Sequence, residues 1–272
     1  MNNTSIEWAK NPDGTQGYTW NPITGCLNGC PYCYARKLAN TRLRGVYCAN
    51  SNLPSHDEPN HELHHSDPFY PRFWEGRLDE LNPVYGQDHR AKFKGIFVCD
   101  MSDLFGIGIP EEWTKRVLER ISEFYYHRFY LLTKQPQNLI KFSPFPDNCW
   151  VGVTATDHNM AFNASCNLIP IEAKVKFISF EPLLGHIGPA VLDLLLEQIQ
   201  WVIIGAQTKP YKPPKIEWVQ EIVEACDKAG VAVFLKKNLK PLLATTVNGN
   251  DIIESHNLWA FKYFKLRQEL PQ

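Results

Sequence analysis

The chain has 272 residues, 44 % of them hydrophobic and 21 % charged, which is the balance of a water-facing globular fold with a sizeable core. A formal net charge of −1 gives no global attraction for nucleic acid or an anionic membrane, and no apolar run approaches bilayer length. Five of the eight cysteines are scattered, and no charged segment followed by an apolar one opens the sequence; a reducing cytoplasm is therefore expected, with no disulfide framework.

Residues 1–18 are polar and read as a loose arm leading into a first strand that ends over residues 20–24. Overlapping that strand's end comes the most informative stretch, residues 21–36: Asn-Pro-Ile-Thr-Gly-Cys-Leu-Asn-Gly-Cys-Pro-Tyr-Cys-Tyr-Ala-Arg. Cys26, Cys30 and Cys33 stand at C-x3-C-x2-C spacing, from which three thiolates can turn inward around one centre. Gly25 and Gly29 permit backbone conformations that bulkier residues resist, and Pro31 stiffens the approach to the third thiol. Three ligands are one short of a closed tetrahedral zinc site and one short of the four cysteines of an electron-transfer cluster. A [4Fe–4S] cluster on three thiolates has one iron with an open position, where a cofactor can bind. A zinc site completed by His61, His64, His65 or Cys48 is the alternative.

Residues 34–43 have the composition of a helix, with Gly45 as a stop. Residues 56–87 are irregular, and with the flanking Pro54 this region carries five prolines: Pro54, Pro59, Pro68, Pro71 and Pro83. An insertion or lid is expected over about 48–92, with a short helix at 74–81. After it, continuous apolar runs at 95–99, 129–133, 150–154, 176–180, 200–205 and 231–235 alternate with helix-like segments. Such runs read as strands buried on both faces of a parallel sheet. Pro110 followed by Glu111 and Glu112 signals a helix start, and residues 216–229 form a helix closed by Gly230. About seven β-units favour a partial or modified (β/α) TIM-type barrel over a doubly wound sheet. One barrel domain over 1–272 is expected, with a C-terminal extension from about 239. In such a barrel the functional groups lie at the C-terminal strand ends. There the sequence places Cys26, the segment Asp100-Met-Ser-Asp103, Lys134, Thr156-Asp157, Glu181 and Gln207.

The cysteine spacing, with the aromatic Tyr32 before the third thiol, resembles the signature of the radical S-adenosylmethionine (SAM) superfamily. The wider phrase over residues 21–36 is similar to the branch of spore photoproduct lyase and the DNA repair photolyase-like proteins. Met101-Ser-Asp-Leu-Phe105, Leu132-Thr-Lys-Gln-Pro136, Phe180-Glu-Pro-Leu-Leu184 and Val202-Ile-Ile-Gly205 resemble most closely a phage-associated radical SAM family of unassigned substrate.

The resemblance implies an enzyme that holds a [4Fe–4S] cluster on Cys26, Cys30 and Cys33. Such an enzyme reductively cleaves SAM to a 5′-deoxyadenosyl radical and abstracts hydrogen from its substrate, drawing electrons from a donor such as flavodoxin or ferredoxin. It also implies cofactor contacts at Tyr32, Ser102, Asp103, Glu181 and Gly205. Ser102 and Asp103 match by position and chemistry alone, and a turn or cap role is open for both. Lys134, Asp157, Gln207 and Arg36 are candidates for catalysis or substrate binding; Lys134 could instead simply pair with Glu181. After Gly205 the family continues with Gly-Glu-Ser where this chain has Ala206-Gln-Thr208, which puts a charged role at Gln207 in doubt.

Two acid-free stretches, 14–56 with Arg36, Lys37, Arg42 and Arg44, and 228–250 with Lys236, Lys237 and Lys240, are either solvated faces or an anion-binding rim. The second reading points to a nucleic acid or nucleotide substrate. Cys48 and Cys166 are candidate hydrogen-atom donors or inert thiols, and the His61, His64, His65 group a second metal site or surface residues. A non-catalytic metal-binding, nucleic-acid-binding protein is the competing functional class.

Overall fold

The computed structural model describes residues 1–54, 61–82, 93–247, 250–253, 255–262 and 265–271. Of the expected insertion at 48–92, residues 55–60 and 83–92 lie outside the described residues. The strands in chain order are β1 (Asn2–Asn3), β2 (Tyr18–Trp20), β3 (Ile23–Thr24), β4 (Arg72–Phe73), β5 (Gly95–Val98) and β6 (Arg128–Thr133). They continue with β7 (Cys149–Thr154), β8 (Val175–Phe180), β9 (Trp201–Ile204), β10 (Gln207–Thr208), β11 (Tyr211–Lys212) and β12 (Ala232–Leu235), before two short C-terminal hairpins.

Eight strands form one sheet in the order β1-β2-β5-β6-β7-β8-β9-β12. β1 runs antiparallel to β2; the pairs β2–β5, β5–β6, β8–β9 and β9–β12 are parallel. From β2 onward the sheet order is the sequence order and nowhere reverses. A doubly wound sheet reverses at its switch point. Seven strands wound in one direction are the strand set of a partial (β/α) barrel, the mixed α/β fold expected from the sequence. β5, β7 and β9 are buried at every residue, as strands covered on both faces should be.

The chain falls into two compact units, residues 1–150 with 172–174, and residues 151–171 with 175–272. In the first, Trp8 packs on Phe97 and Tyr130 with ring centroids 4.9 and 5.7 Å apart. Its short helices are α1 (Tyr34–Asn40), α2 (Arg44–Cys48) and α3 (His61–Ser66), followed by the longer α4 (Glu111–Glu123). Helix α4 buries Trp113, Val117 and Ile121 at a spacing of four, one stripe of a helix face. The helix expected over 34–43 breaks at Thr41, whose hydroxyl donates back to the Lys37 carbonyl at 2.8 Å. That bond competes with the helical ladder, and Gly45, expected as a stop, lies inside α2. The short helix expected at 74–81 is a 3-10 helix over Glu75–Leu81.

In the second unit, α5 (His158–Leu168), α6 (Pro189–Leu196) and α7 (Ile216–Ala229) follow their strands. Helix α7 buries Val219, Ile222, Val223 and Cys226 and ends at Gly230 with φ +69°, the glycine cap expected there. Phe177, Trp201 and Phe234 form a chain of ring contacts across β8, β9 and β12. The segment after 239 returns to cover the free edge of β12. Leu235 N–H donates to Arg267 O at 2.8 Å and Glu269 N–H to Val233 O at 2.9 Å, which removes an exposed strand edge.

Candidate functional site

The cysteine loop begins where β2 ends, and its first residues are held by backbone. β3 pairs with β4, Ile23 opposite Phe73 and Thr24 opposite Arg72. Gly25 follows at φ +86°, and a Cβ there would lie 2.3 Å from the Tyr70 carbonyl oxygen, so both its conformation and its surroundings require glycine. Gly25 N–H donates to Met101 O at 2.9 Å and Cys26 N–H to Phe69 O at 3.0 Å. The Ser102 hydroxyl donates to the Gly25 carbonyl. Thus the strand end after β5 and the segment before β4 together fix the approach to the first thiol.

Asp103 fixes the loop between the first two thiols. Only 5 % of it is exposed. Its Oδ2 accepts from Asn28 Nδ2 and from the Lys134 backbone N–H, both at 2.9 Å, and its Oδ1 accepts from Phe105 N–H at 3.2 Å. Gln135 Nε2 donates to Asn28 Oδ1 at 2.7 Å. Asp100 supports the base: it accepts from Asn21 Nδ2 at 2.6 Å, and its carbonyl accepts from the Tyr34 hydroxyl at 2.8 Å. Burial raises the Asp100 carboxyl above its ordinary value, partly offset by these donors.

The third thiol opens a helix. Cys33 caps α1, its Sγ accepting from Arg36 N–H at 3.3 Å, while Cys26 Sγ accepts from Asn28 N–H at 3.4 Å. Arg36 reaches back with Nη2 to Cys26 O at 3.0 Å and lies over the Phe69 ring. Cys26 and Cys33 pack against an apolar cluster of Ala35, Ala39, Tyr47, Phe69 and Met101. Burial pushes the Cys26 thiol up to about 12; the Asn28 N–H opposes this, and Asp103, Cys30 and Cys33 add to it. All three cysteines are free and half-buried; Tyr32, in the turn before α1, is half-buried too.

Among the described residues no three His, Cys, Asp or Glu side chains already stand in a cluster that grips a metal ion. The donor set nonetheless fits an iron–sulfur group held by three thiolates. The thiols are unpaired, they lie within electrostatic reach of one another, two receive backbone N–H groups, and two are backed by apolar side chains. Sulfur-directed N–H donors and a water-poor wall are what such clusters take from a protein. Of the residues weighed as a fourth ligand, His64 and Cys48 have contacts of their own. The His64 ring stacks on Tyr70 with centroids 3.9 Å apart, and Cys48 Sγ faces Ser66 O at 3.7 Å. The His61 side chain lies outside the described residues.

The matching family model covers residues 3–242 and carries the description "Protein of unknown function (DUF5131)". The chain belongs to this family. No curated protein matches it. Two solved structures are similar to this DUF5131 chain, each at 12 % identity. One is spore photoproduct lyase complexed with dinucleoside spore photoproduct, covering 86 % of this chain and 67 % of that one, with a TM-score of 0.37. The other is a mutant of the lyase with bound AdoMet and dinucleoside spore photoproduct, covering 92 % and 73 %, with a TM-score of 0.39.

The second unit of the DUF5131 chain gathers a separate group at the ends of β8, β9 and β12. The Glu181 carboxylate pairs with Lys236 Nζ. Gly205 lies against both: a Cβ there would meet Lys236 Cδ at 2.9 Å and Glu181 Cγ at 3.3 Å. Asn238 clasps the next residue, accepting from Ala206 N–H at 3.1 Å and donating to Ala206 O at 2.8 Å. Gln207 Nε2 donates to Pro210 O at 3.0 Å. Asp157 caps α5, accepting from Met160 N–H at 3.0 Å.

Of the residues singled out in sequence, Ser102, Asp103 and Arg36 therefore bind the cysteine loop itself, and the Lys134 backbone N–H holds Asp103. Glu181 and Gly205 meet Lys236, a residue the sequence marked only as part of a basic stretch. Asn28 and Gln135 lie inside phrases the sequence singled out, residues 21–36 and 132–136, but had no role assigned there; Asn238 carried no signal beyond being an amide just after a strand.

Proposed function

We infer that this chain is a radical SAM enzyme of the cytoplasm. Cys26, Cys30 and Cys33 are its cluster ligands, a flavodoxin- or ferredoxin-type protein its electron source, and a nucleic acid or nucleotide its substrate. The observation that carries this reading is the set of three free thiols at C-x3-C-x2-C spacing, at the end of the first parallel strand of a singly wound sheet. When bound, a [4Fe–4S] cluster and SAM supply one-electron cleavage of a carbon–sulfur bond and hydrogen-atom abstraction from an unactivated position.

The chain's own residues do the rest. Asn28 and Arg36 direct backbone N–H groups at the Cys26 and Cys33 sulfurs, the kind of hydrogen bond that tunes a cluster's potential. Asp103, Asn28 and Gln135 keep the loop in one conformation. Ala35, Ala39, Tyr47, Phe69 and Met101 exclude water from its inner side. The Glu181 carboxylate, with Lys236 as counter-ion, offers acceptors for sugar hydroxyls, and Gly205 keeps the ground beside it free of a side chain.

The test is anaerobic loading with iron and sulfide, followed by electron paramagnetic resonance of the reduced protein with and without SAM. The loaded protein should hold about four irons per chain and give a signal that shifts when SAM is added. One tightly held zinc, no iron uptake and no SAM-dependent shift would remove this reading in favour of a structural metal site.

A further inference from the structure

After β9 the second unit turns into a small hairpin whose chemistry the cluster loop does not explain. β10 pairs with β11, Gln207 opposite Lys212 and Thr208 opposite Tyr211. Between Gln198 and Ile216 there is no acidic residue. Lys209, Lys212 and Lys215 are exposed, and Tyr211 stands between the first two with 47 % of its surface open.

The hairpin is not loose. Tyr211 donates its hydroxyl to Asn238 O at 3.1 Å, and the Asn238 side chain clasps Ala206 at the hairpin's root. This ties the hairpin to the turn after β12, Lys236-Lys-Asn-Leu-Lys240, which lies in the acid-free stretch 228–250. Lys237 is exposed on that turn. Two lysine-bearing segments without acids, far apart in sequence, are thus joined beside an aromatic ring whose polar end is already anchored, and the Glu181 carboxylate nearby is taken by Lys236.

Lysines interleaved with an exposed, fixed ring suit a polyanion that also has flat apolar faces. A single-stranded nucleic acid is such a partner, with phosphates for ammonium groups and bases for stacking. A membrane surface would ask for more apolar side chains than one tyrosine. An acidic protein segment would gain nothing from an anchored ring beyond its charge.

We propose that the hairpin of β10 and β11, with the turn at 236–240, binds single-stranded nucleic acid, Lys209, Lys212 and Lys237 engaging phosphates and Tyr211 stacking on a base. This deepens the enzyme reading by naming its substrate class, and it rests on that reading only in calling the bound strand a substrate.

The experiment is fluorescence anisotropy of a labelled oligothymidylate with the full chain, as purified and after iron–sulfur loading. The affinity falls as salt rises, with a log–log slope near −0.7 per phosphate neutralised. The triple variant K209Q/K212Q/K237Q weakens binding at least tenfold and flattens that slope by about 2. Tyr211→Ala weakens binding roughly tenfold, while Tyr211→Phe, which keeps the ring and loses only the anchor, retains most of it. Unchanged thermal unfolding of the variants separates these effects from misfolding.

Absence of binding, or binding that the triple variant leaves intact, overturns the proposal. So does equal binding of heparin with no effect of Tyr211→Ala, which would make the surface a generic polyanion site. Deoxyadenosine formation without strand binding leaves the enzyme reading and removes this one; strand binding by a chain that never cleaves SAM does the reverse.

Discussion

Changing Asp103 to asparagine replaces one carboxylate oxygen with an NH₂ group at a place where every neighbour is a donor. If the amide oxygen takes the Oδ2 position, the bonds to Asn28 Nδ2 and Lys134 N–H, both 2.9 Å, survive without their charge assistance. Charge-assisted bonds exceed neutral ones by about 1 kcal/mol each. The new NH₂ then opposes Phe105 N–H, 3.2 Å away in the parent, leaving a buried donor unmet for about 1–2 kcal/mol more. The sum is a loss of roughly 3 kcal/mol for Asp103→Asn and somewhat more for Asp103→Ala, which strands two backbone N–H groups. Urea unfolding measures it: the midpoint falls while the slope with denaturant stays constant. Iron loading should fall in parallel, because Asn28 sits between two of the thiols. If Asp103 instead serves mainly to contact a cofactor, the variant would unfold at the parent's midpoint and lose only SAM binding. That result would refute the reasoning from its hydrogen bonds.

Arg72 is fully buried and donates to five backbone carbonyls, those of Asn50, His64, His65, Asp67 and Tyr70. Arg72→Met should cost about 3–5 kcal/mol, and Arg72→Lys should recover little because an ammonium cannot reach five acceptors; thermal melts that match the parent would contradict this. Gly25→Ala should abolish loop closure and iron uptake. Gly14→Ala, also at positive φ (+81°) but with nothing within 4 Å, should cost only about 1–2 kcal/mol and leave loading intact; equal behaviour of the two would sink the steric argument.

His127, 4 % exposed, accepts Lys94 N–H on Nδ1 at 3.3 Å, and burial, then the Lys94 charge, push its pKa down to about 4. The fold therefore favours the neutral ring. Its contribution is complete above the unfolded value of about 6.5 and is lost as pH falls from there towards 4, by at most roughly 3 kcal/mol. Urea midpoints for the parent and His127→Gln should diverge over that window; parallel profiles would exclude the titration.

Strands β5, β6, β7, β8, β9 and β12 could be located in sequence to within a residue or so because each is a continuous apolar run; the first parallel strand could not, since β2 is Tyr18-Thr-Trp20, which is no such run and stops short of the expected end over 20–24. The three thiols and the glycine end of α7 were legible for similarly local reasons. Arg72 was not, although an arginine inside the aromatic run Phe69-Tyr-Pro-Arg-Phe-Trp74 hints at a buried guanidinium. Its acceptors are carbonyls, which every residue has. The same holds for Asp103: its partners are an amide side chain and two backbone N–H groups, contributed by three different segments. Lys134 was read for its ammonium, yet its backbone N–H makes the contact with Asp103. The α1 break rests on one threonine hydroxyl turning back on the helix, an outcome that propensity leaves open. Pairings between distant segments, such as β3 with β4 or Glu181 with Lys236, arise only once the chain is folded and leave no periodic trace.

In the proposed enzyme, Cys26, Cys30 and Cys33 hold a redox-active cluster that works on SAM. This is tested most directly by loading the protein with iron and sulfide without oxygen, reducing it with dithionite in the presence of SAM, and assaying 5′-deoxyadenosine, with Cys30→Ala as the control. The parent should produce deoxyadenosine and the variant none. A parent that takes up iron yet leaves SAM intact, or a Cys30→Ala protein that still produces deoxyadenosine, would contradict it.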